Sequence, residues 1–248
     1  GVKHTLSVVN MVMDHAIKDR IINFNPCSTI NNLKRTEKEA SETIHRALTE
    51  EEQKQFFEYA KNTYYYHLFA FLVSSGCRLG EAAALQWSDV DWINNIIHIN
   101  KTVSRISDSK FVISDTPKTK SSIRDIPLTE SIKGILKNQK RQNEDLSIIC
   151  FDNRIFPGIN GNIVNSAIIS TCLKHIFQRM GKDNIRFKKF SAHGFRATFA
   201  TRCIEQGMNP QTLKTILGHA NLSMTMDLYA HVLPNTKAEE MGKMKIVI

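Results

Sequence analysis

Acidic residues are the scarcer charge in this chain, and several common features are missing altogether. Cysteine occurs five times, at Cys27, Cys77, Cys150, Cys172 and Cys203, an odd and widely spaced set without a C-x-x-C pair. That spacing supplies neither a disulfide framework nor paired zinc ligands, and it reads as reduced, mostly buried thiols of a cytoplasmic protein. No apolar run is longer than residues 68–73, far short of the roughly 20 residues that span a bilayer. The first residues, Gly1-Val2-Lys3-His4, carry no secretory signal pattern. Repeats and low-complexity tracts are absent. So is any group of paired acids suited to Mg²⁺, which argues against a metal-dependent nuclease. The reading is therefore of a chain with no metal, no cofactor and no membrane segment.

What is present is an ordinary globular composition with a basic excess. The 248 residues, 42% hydrophobic and 23% charged, suit one or two domains with a real core. Lys plus Arg number 33 against 24 Asp plus Glu, a net charge of +9. An isoelectric point near 9.3 favours a polyanionic partner, and nucleic acid is the commonest. The excess gathers in two places. Residues 177–196 hold Arg179, Lys182, Arg186, Lys188, Lys189 and Arg196 against Asp183 alone, and residues 101–124 hold six basic side chains against Asp108 and Asp115. A plain solvated surface would not need the same bias in two separated segments.

Hydrophobic spacing predicts a helix over 4–22 (Leu6, Val9, Val12, Met13, Ala16, Ile17), stopped by Asn25-Pro26. The charged stretch 31–41 reads as a linker. Thr49 with Glu52 is a capping-box pattern that starts the next helix. Apolar helices follow over 66–75 and 79–85, broken by Gly76. Strands are expected at 96–99, 110–114 and 123–128 in one small antiparallel sheet, with 117–122 as a hairpin tip. The remainder reads helical. Asn209-Pro210 opens one helix that Gly218 closes, and another starts near Ser223 and carries Tyr229. The fold class is mainly α with a small antiparallel β-sheet.

Four places could carry chemistry, and each has an ordinary alternative. Arg78 lies between Gly76 and Gly80 at a helix break, with Glu81 as its i+3 partner, yet Arg–Glu pairs are common on surfaces. Lys118 or Lys120 could swing from a turn as a proton donor, or simply be solvated. His193 and Arg196 share a helical face, which is weak evidence alone. His219 follows Gly218, and ten residues later comes Tyr229-Ala230-His231. A tyrosine can attack phosphorus when cations and a base activate it, although most tyrosines are half-buried aromatics with a bonded hydroxyl.

Taken together, the stretches Gly76-Cys77-Arg78-Leu79-Gly80-Glu81, Pro117-Lys118-Thr119-Lys120-Ser121-Ser122-Ile123-Arg124-Asp125-Ile126-Pro127-Leu128, His193-Gly194-Phe195-Arg196, Leu217-Gly218-His219-Ala220 and Tyr229-Ala230-His231 resemble the tyrosine recombinase (phage integrase) family, most like integrases of conjugative transposons. The resemblance covers residues 45 to 232. It implies a tyrosine recombinase catalytic domain over 47–232, preceded by the C-terminal part of a helical core-binding domain (1–36) and a linker (37–46). A C-terminal tail (233–248) would follow, its apolar end at 244–248 docked on a neighbouring protomer or folded back on its own domain.

The resemblance further implies a site-specific recombinase that cuts and rejoins DNA through a 3′-phosphotyrosine and a Holliday junction, to integrate and excise a mobile element without a high-energy cofactor. Tyr229 would be the nucleophile. Arg78, Arg196 and His219 would bind the phosphate oxygens, His193 would take or relay the tyrosine proton, and Lys118, or Lys120 beside it, would protonate the leaving 5′-oxygen. Glu81 would hold Arg78. Lys120, Arg124, Arg186, Lys188 and Lys189 are candidate DNA contacts. Implied partners are double-stranded DNA at attachment or transposon-end sites, further copies of the chain (dimer to tetramer) on that DNA, an excisionase and a host DNA-bending protein, in the bacterial cytoplasm at the nucleoid. The competing readings are a type IB topoisomerase-like relaxing enzyme and a non-catalytic DNA-binding protein of the same fold.

Overall fold

A computed structural model describes residues 2–28, 30, 46–107, 110–114 and 122–233. The chain divides into two compact units, residues 1–43 and 44–248. In the first unit, α1 (Val2–Lys18) is shorter than its apolar spacing suggested. Arg20 turns the chain with a positive φ of 58° well before Asn25-Pro26. Asn25 then ties the returning chain to α1, its Nδ2 donating to Asp14 Oδ1 at 2.8 Å and to Asn10 Oδ1 at 3.2 Å.

The second unit opens on α2 (Glu50–Ala60). The Thr49 hydroxyl accepts from the Glu52 amide at 3.2 Å and Glu52 returns the bond to the Thr49 amide at 3.0 Å, so two otherwise orphaned donors are satisfied. α3 (Tyr66–Ser75) is apolar nearly all round, which is what a central helix requires. Its Phe69 stacks on Phe195, Phe56 meets both rings edge-on and Phe190 meets Phe195 edge-on, and this aromatic group anchors the core. α4 (Leu79–Ala84) follows Gly76, which ends α3 in the left-handed conformation at φ 65°. A Cβ at Gly76 would run into the Phe199 ring, so glycine is needed there for both backbone and space.

Two small antiparallel sheets replace the single one expected. β1 (Val90–Asp91), β2 (Ile96–Ile99) and β5 (Arg124–Pro127) form the first, in the order β1-β2-β5, with Ile97 opposite Ile126 and Ile99 opposite Arg124. β3 (Thr102–Arg105) pairs with β4 (Phe111–Ser114) in the second. β4 pairs with β3 and β5 with β2, and the stretch 117–122 expected as a hairpin tip, with Lys118 and Lys120, lies outside the described residues except for Ser122. β1 and β3 were not foreseen. β1 has two residues, and β3 (Thr-Val-Ser-Arg) lacks a clean apolar alternation.

Helices α5 (Glu130–Asp145), α6 (Ser166–Lys182), α7 (His193–Glu205), α8 (Pro210–Leu217) and α9 (Leu222–Val232) complete the unit. Asn209 caps α8 and Gly218 closes it at φ 64°, as the sequence suggested. A second, smaller core of Ala200, Cys203, Ile204, Leu213 and Leu217 joins α7 to α8, and Leu228, Tyr229 and Val232 of α9 pack on it. No helix among the described residues is long and apolar enough to cross a membrane. Residues 234–248, which include the tail segment 244–248, lie outside the described residues.

Candidate active site

The site grows from the break between α3 and α4. Arg78 stands at the start of α4, where Glu81 Oε2 accepts from its backbone amide at 2.9 Å and Glu81 Oε1 from its Nη1 at 2.8 Å. The pair is not the surface salt bridge that i,i+3 spacing usually gives: Glu81 is only 5% exposed, while Arg78 keeps 39% of its side chain open to solvent. Glu81 is held from behind as well. Arg124, at the start of β5, donates its Nη2 to Glu81 Oε2 at 2.8 Å and its side chain is 3% exposed. Arg124 is one of the candidate DNA contacts read from the sequence, and its side chain is buried. Strand alternation sends it inward on the same face as Ile126.

Arg196 rises from the first turn of α7 and is 4% exposed. Its Nη1 donates to the Gly76 carbonyl at 2.9 Å and its Nη2 to the Leu217 carbonyl at 2.6 Å. The end of α8 thus organises all three guanidiniums. The carbonyl of Ile216 accepts from Arg124 Nε at 2.5 Å, that of Leu217 from Arg196, and that of Gly218 from Arg78 Nη2 at 3.4 Å. These are carbonyls of a helix C-terminal turn, which lack intrahelical partners and carry the negative end of the helix dipole.

Three guanidiniums against one carboxylate leave the cluster short of negative charge. Burial, with Arg78 nearby, pulls Arg196 down to about 9. Burial alone would raise Glu81, but the bonds from Arg124 and from the Arg78 amide and side chain outweigh it and hold the carboxyl below its ordinary value. The arrangement is built to take up an anion with planar, multi-donor contacts.

His219 follows Gly218 directly, and its Nδ1 lies 2.9 Å from Thr225 Oγ1 on α9. Burial and then the fields of Arg196, Arg78, Arg124 and His193 drive it down to about 4. The imidazole is therefore neutral near pH 7 and can offer one N–H to a phosphate oxygen. This depression has a sign. Its folded value lies below the ordinary 6.5, so as pH falls from 6.5 toward 5 the unfolded chain takes up a proton that the folded site refuses, and stability declines. We expect the urea midpoint of the wild-type chain to fall more between pH 7 and pH 5 than that of His219→Gln. Equal losses in the two proteins would mean that His219 is not what sets the slope.

Tyr229 lies one turn beyond Thr225 on α9. Its hydroxyl donates to the Met208 carbonyl in the α7–α8 turn, and burial, then Cys203, raises its pKa. The phenol is protonated at neutral pH and rests on a backbone carbonyl, so attack requires it to turn from Met208 and give up its proton. His193 is exposed at the start of α7, close enough to His219 to influence its titration. Arg186, Lys188 and Lys189 are exposed in the connection before α7. The structure thus gathers Arg78, Glu81, Arg196 and His219, with His193 beside them, and sets Tyr229 on the adjoining helix. Two residues of this neighbourhood were not picked out from the sequence, Thr225 and Met208. Thr225 had one available signal, its i,i+4 relation to Tyr229.

A cluster of guanidiniums, a neutral histidine and a nearby tyrosine form a site suited in charge and donor geometry to an oxyanion. Comparison with known proteins makes this more specific. Residues 46–236 match the phage integrase family, and the chain belongs to that family. It is 29% identical over 240 residues to a XerC-like tyrosine recombinase of Caldanaerobacter subterraneus, covering 90% of this chain and 60% of that one. It is 29% identical over 206 residues to the transposase from transposon Tn916 of Enterococcus faecalis (79% and 50%) and 28% identical over 251 residues to the ICEBs1 integrase of Bacillus subtilis (98% and 65%). The chain thus spans about half to two thirds of the length of these relatives. In fold it is similar to the Tn1549 transposon integrase solved in complex with transposon right end DNA, with a TM-score of 0.81 at 23% identity, covering 98% of this chain and 78% of that one.

Proposed function

We propose that this chain is the catalytic part of a site-specific DNA recombinase that integrates and excises a mobile element through a covalent 3′-phosphotyrosine. The observation that carries the reading is the guanidinium cluster: Arg78, Arg124 and Arg196 around the single carboxylate of Glu81, with Arg78 half open to solvent. In the reaction, the Tyr229 oxygen forms a bond to phosphorus as the bond to the 5′-oxygen breaks. The tyrosine proton passes to His193, and Lys118 returns a proton to the 5′-oxygen. One ester replaces another, so no ATP is consumed. Negative charge that builds on the non-bridging oxygens is met by Arg78, Arg196 and the His219 N–H, donors already fixed before the substrate arrives. A second 5′-hydroxyl then reverses the step to join a new strand through a Holliday junction.

On this reading residues 1–36 are the end of a core-binding domain and 37–46 a linker. Arg186, Lys188, Lys189 and Lys120 contact phosphates, and the working species is a tetramer on DNA in the bacterial cytoplasm. The apolar tail segment 244–248 docks on a neighbouring protomer, and an excisionase and a DNA-bending protein select direction. The relatives named for transposons and integrative elements support the choice of substrate. The test is covalent capture. Nicked duplexes from the ends of the element that encodes the chain are incubated with the protein and run on a denaturing gel. A protease-sensitive shifted band, with exchange of strands between two duplexes, is expected. Relaxation of supercoiled plasmid without exchange would favour a topoisomerase-like enzyme, and DNA binding without any covalent band would leave a non-catalytic binder.

A further inference from the structure

The family motif accounts for Arg78 and Arg196 but leaves unexplained why a third arginine is buried behind them. Arg124 is buried as deeply as an apolar core residue, although burying a guanidinium is costly unless its donors are used. Its donors are used on three elements at once. Nη2 meets Glu81 Oε2 on α4 at 2.8 Å, Nε meets the Ile216 carbonyl at the end of α8 at 2.5 Å, and Nη1 meets the Ser122 carbonyl just ahead of β5 at 3.3 Å. Two of those contacts lead on to the phosphate-facing residues. Glu81 holds Arg78 through both its amide and its Nη1. The carbonyls that follow Ile216 hold Arg196 and Arg78.

We propose that Arg124 is a positioning residue, which fixes the spacing of the Arg78 and Arg196 guanidiniums by locking Glu81 and the last turn of α8 onto strand β5. The proposal rests on the recombinase reading for its consequence, but not for its geometry. Arg124 would touch no DNA. Its bonds to Glu81 and to the Ile216 carbonyl set where α4 and α8 stand relative to one another, and therefore where two donors to one phosphate can stand. A fork of donors is required for this. A lysine at 124 would supply one charged nitrogen for Glu81 and leave the Ile216 carbonyl without it. The frame also accounts for Gly218, whose left-handed φ lets the chain leave α8 while three successive carbonyls still face the arginines.

The experiment compares wild type, Arg124→Met, Arg124→Lys and Arg78→Ala, alone and combined. For each, three quantities are read below the melting temperature: DNA affinity, single-turnover cleavage of a nicked duplex, and the ¹⁵N–¹H side-chain resonances of the Arg78 and Arg196 guanidiniums. Arg124→Met is expected to keep DNA affinity and lose about a hundred-fold in cleavage, the effect of misplacing reacting groups by about an ångström. The Arg78 and Arg196 resonances should shift or broaden, and Arg124→Lys should recover part of the loss. In the Arg78→Ala background, Arg124→Met should cost much less, since one of the two groups it places is gone. If Arg124→Met does not fold, the Lys variant is read alone against wild type. A folded variant with wild-type cleavage and unmoved Arg78 and Arg196 resonances would overturn the proposal, and so would a loss confined to DNA affinity. The resonances need no turnover. Absence of cleavage in the wild type would count against the recombinase reading, while a resonance shift in that same protein would still support the positioning role.

Discussion

Tyr229→Phe is expected to remove covalent DNA capture entirely while leaving DNA affinity where it was. The substitution deletes one oxygen and keeps the ring that packs, with Leu228 and Val232, on the core of Ala200, Cys203, Ile204, Leu213 and Leu217. The structural loss is a single bond from the hydroxyl to the Met208 carbonyl, worth about 1 kcal/mol at a half-exposed position. The catalytic loss is of another order. Enzymes that lose their covalent nucleophile fall by about a million-fold even with every other group in place, which takes single-turnover cleavage below detection. Gel-shift titration and denaturing-gel capture on the same nicked duplex separate the two quantities. Persistence of the covalent band in Tyr229→Phe would assign the nucleophile to another residue. Loss of DNA binding together with the band would instead make Tyr229 a structural residue of α9. The contact with Met208 adds a corollary. If Tyr229 is the nucleophile, its hydroxyl has to leave that carbonyl before it attacks.

How much of this was readable beforehand depended on whether the signal was local. Thr49 with Glu52, and Asn209-Pro210 with Gly218, are caps whose chemistry is complete within a few residues, and both helices start or end as their residues dictate. Arg78 and Glu81 are likewise an i,i+3 pair. Failures came where partners are distant in sequence. β3 and β4 are an exception, since they are close in sequence, but neither has a strong alternation to mark the pairing. Arg124 lies on the buried face that continues with Ile126 and Leu128, two and four residues on. The period of two puts its side chain inward in spite of its charge. The carbonyls of Ile216, Leu217 and Gly218 leave no trace in a side-chain sequence, yet they set the arginine geometry. The end of α1 had no glycine to announce it, since Arg20 itself takes the positive φ.

Arg196→Lys is expected to cost cleavage heavily and stability little, and the two parts follow from opposing terms. In the free protein Arg196 is under strain of charge. It is nearly buried, beside Arg78 and Arg124, with one carboxylate for the three, and its proton is held less tightly than usual for that reason. Against this stand its bonds to the Gly76 and Leu217 carbonyls, each worth about 1 kcal/mol net. A lysine retains one donor for one of the two carbonyls and, buried beside two guanidiniums, gives up its proton far more readily than arginine, so the relief of charge offsets much of the lost bond and the urea midpoint should move by about 1 kcal/mol or less in equivalent stability. No such offset exists in the transition state. There the phosphate supplies the missing negative charge, and a lysine that still points at a carbonyl cannot also present a parallel pair of N–H groups to an oxygen. Removal of one preorganised donor costs about a hundred- to a thousand-fold in rate, and that loss should appear in single-turnover cleavage with DNA affinity nearly intact. A variant that melted far earlier yet cleaved normally once folded would recast Arg196 as a strut between α7, Gly76 and α8. A variant that kept both rate and stability would show that charge alone is enough at this position. The expected split, rate lost and stability kept, is the signature of a charge cluster whose favourable partner is the substrate and not the protein.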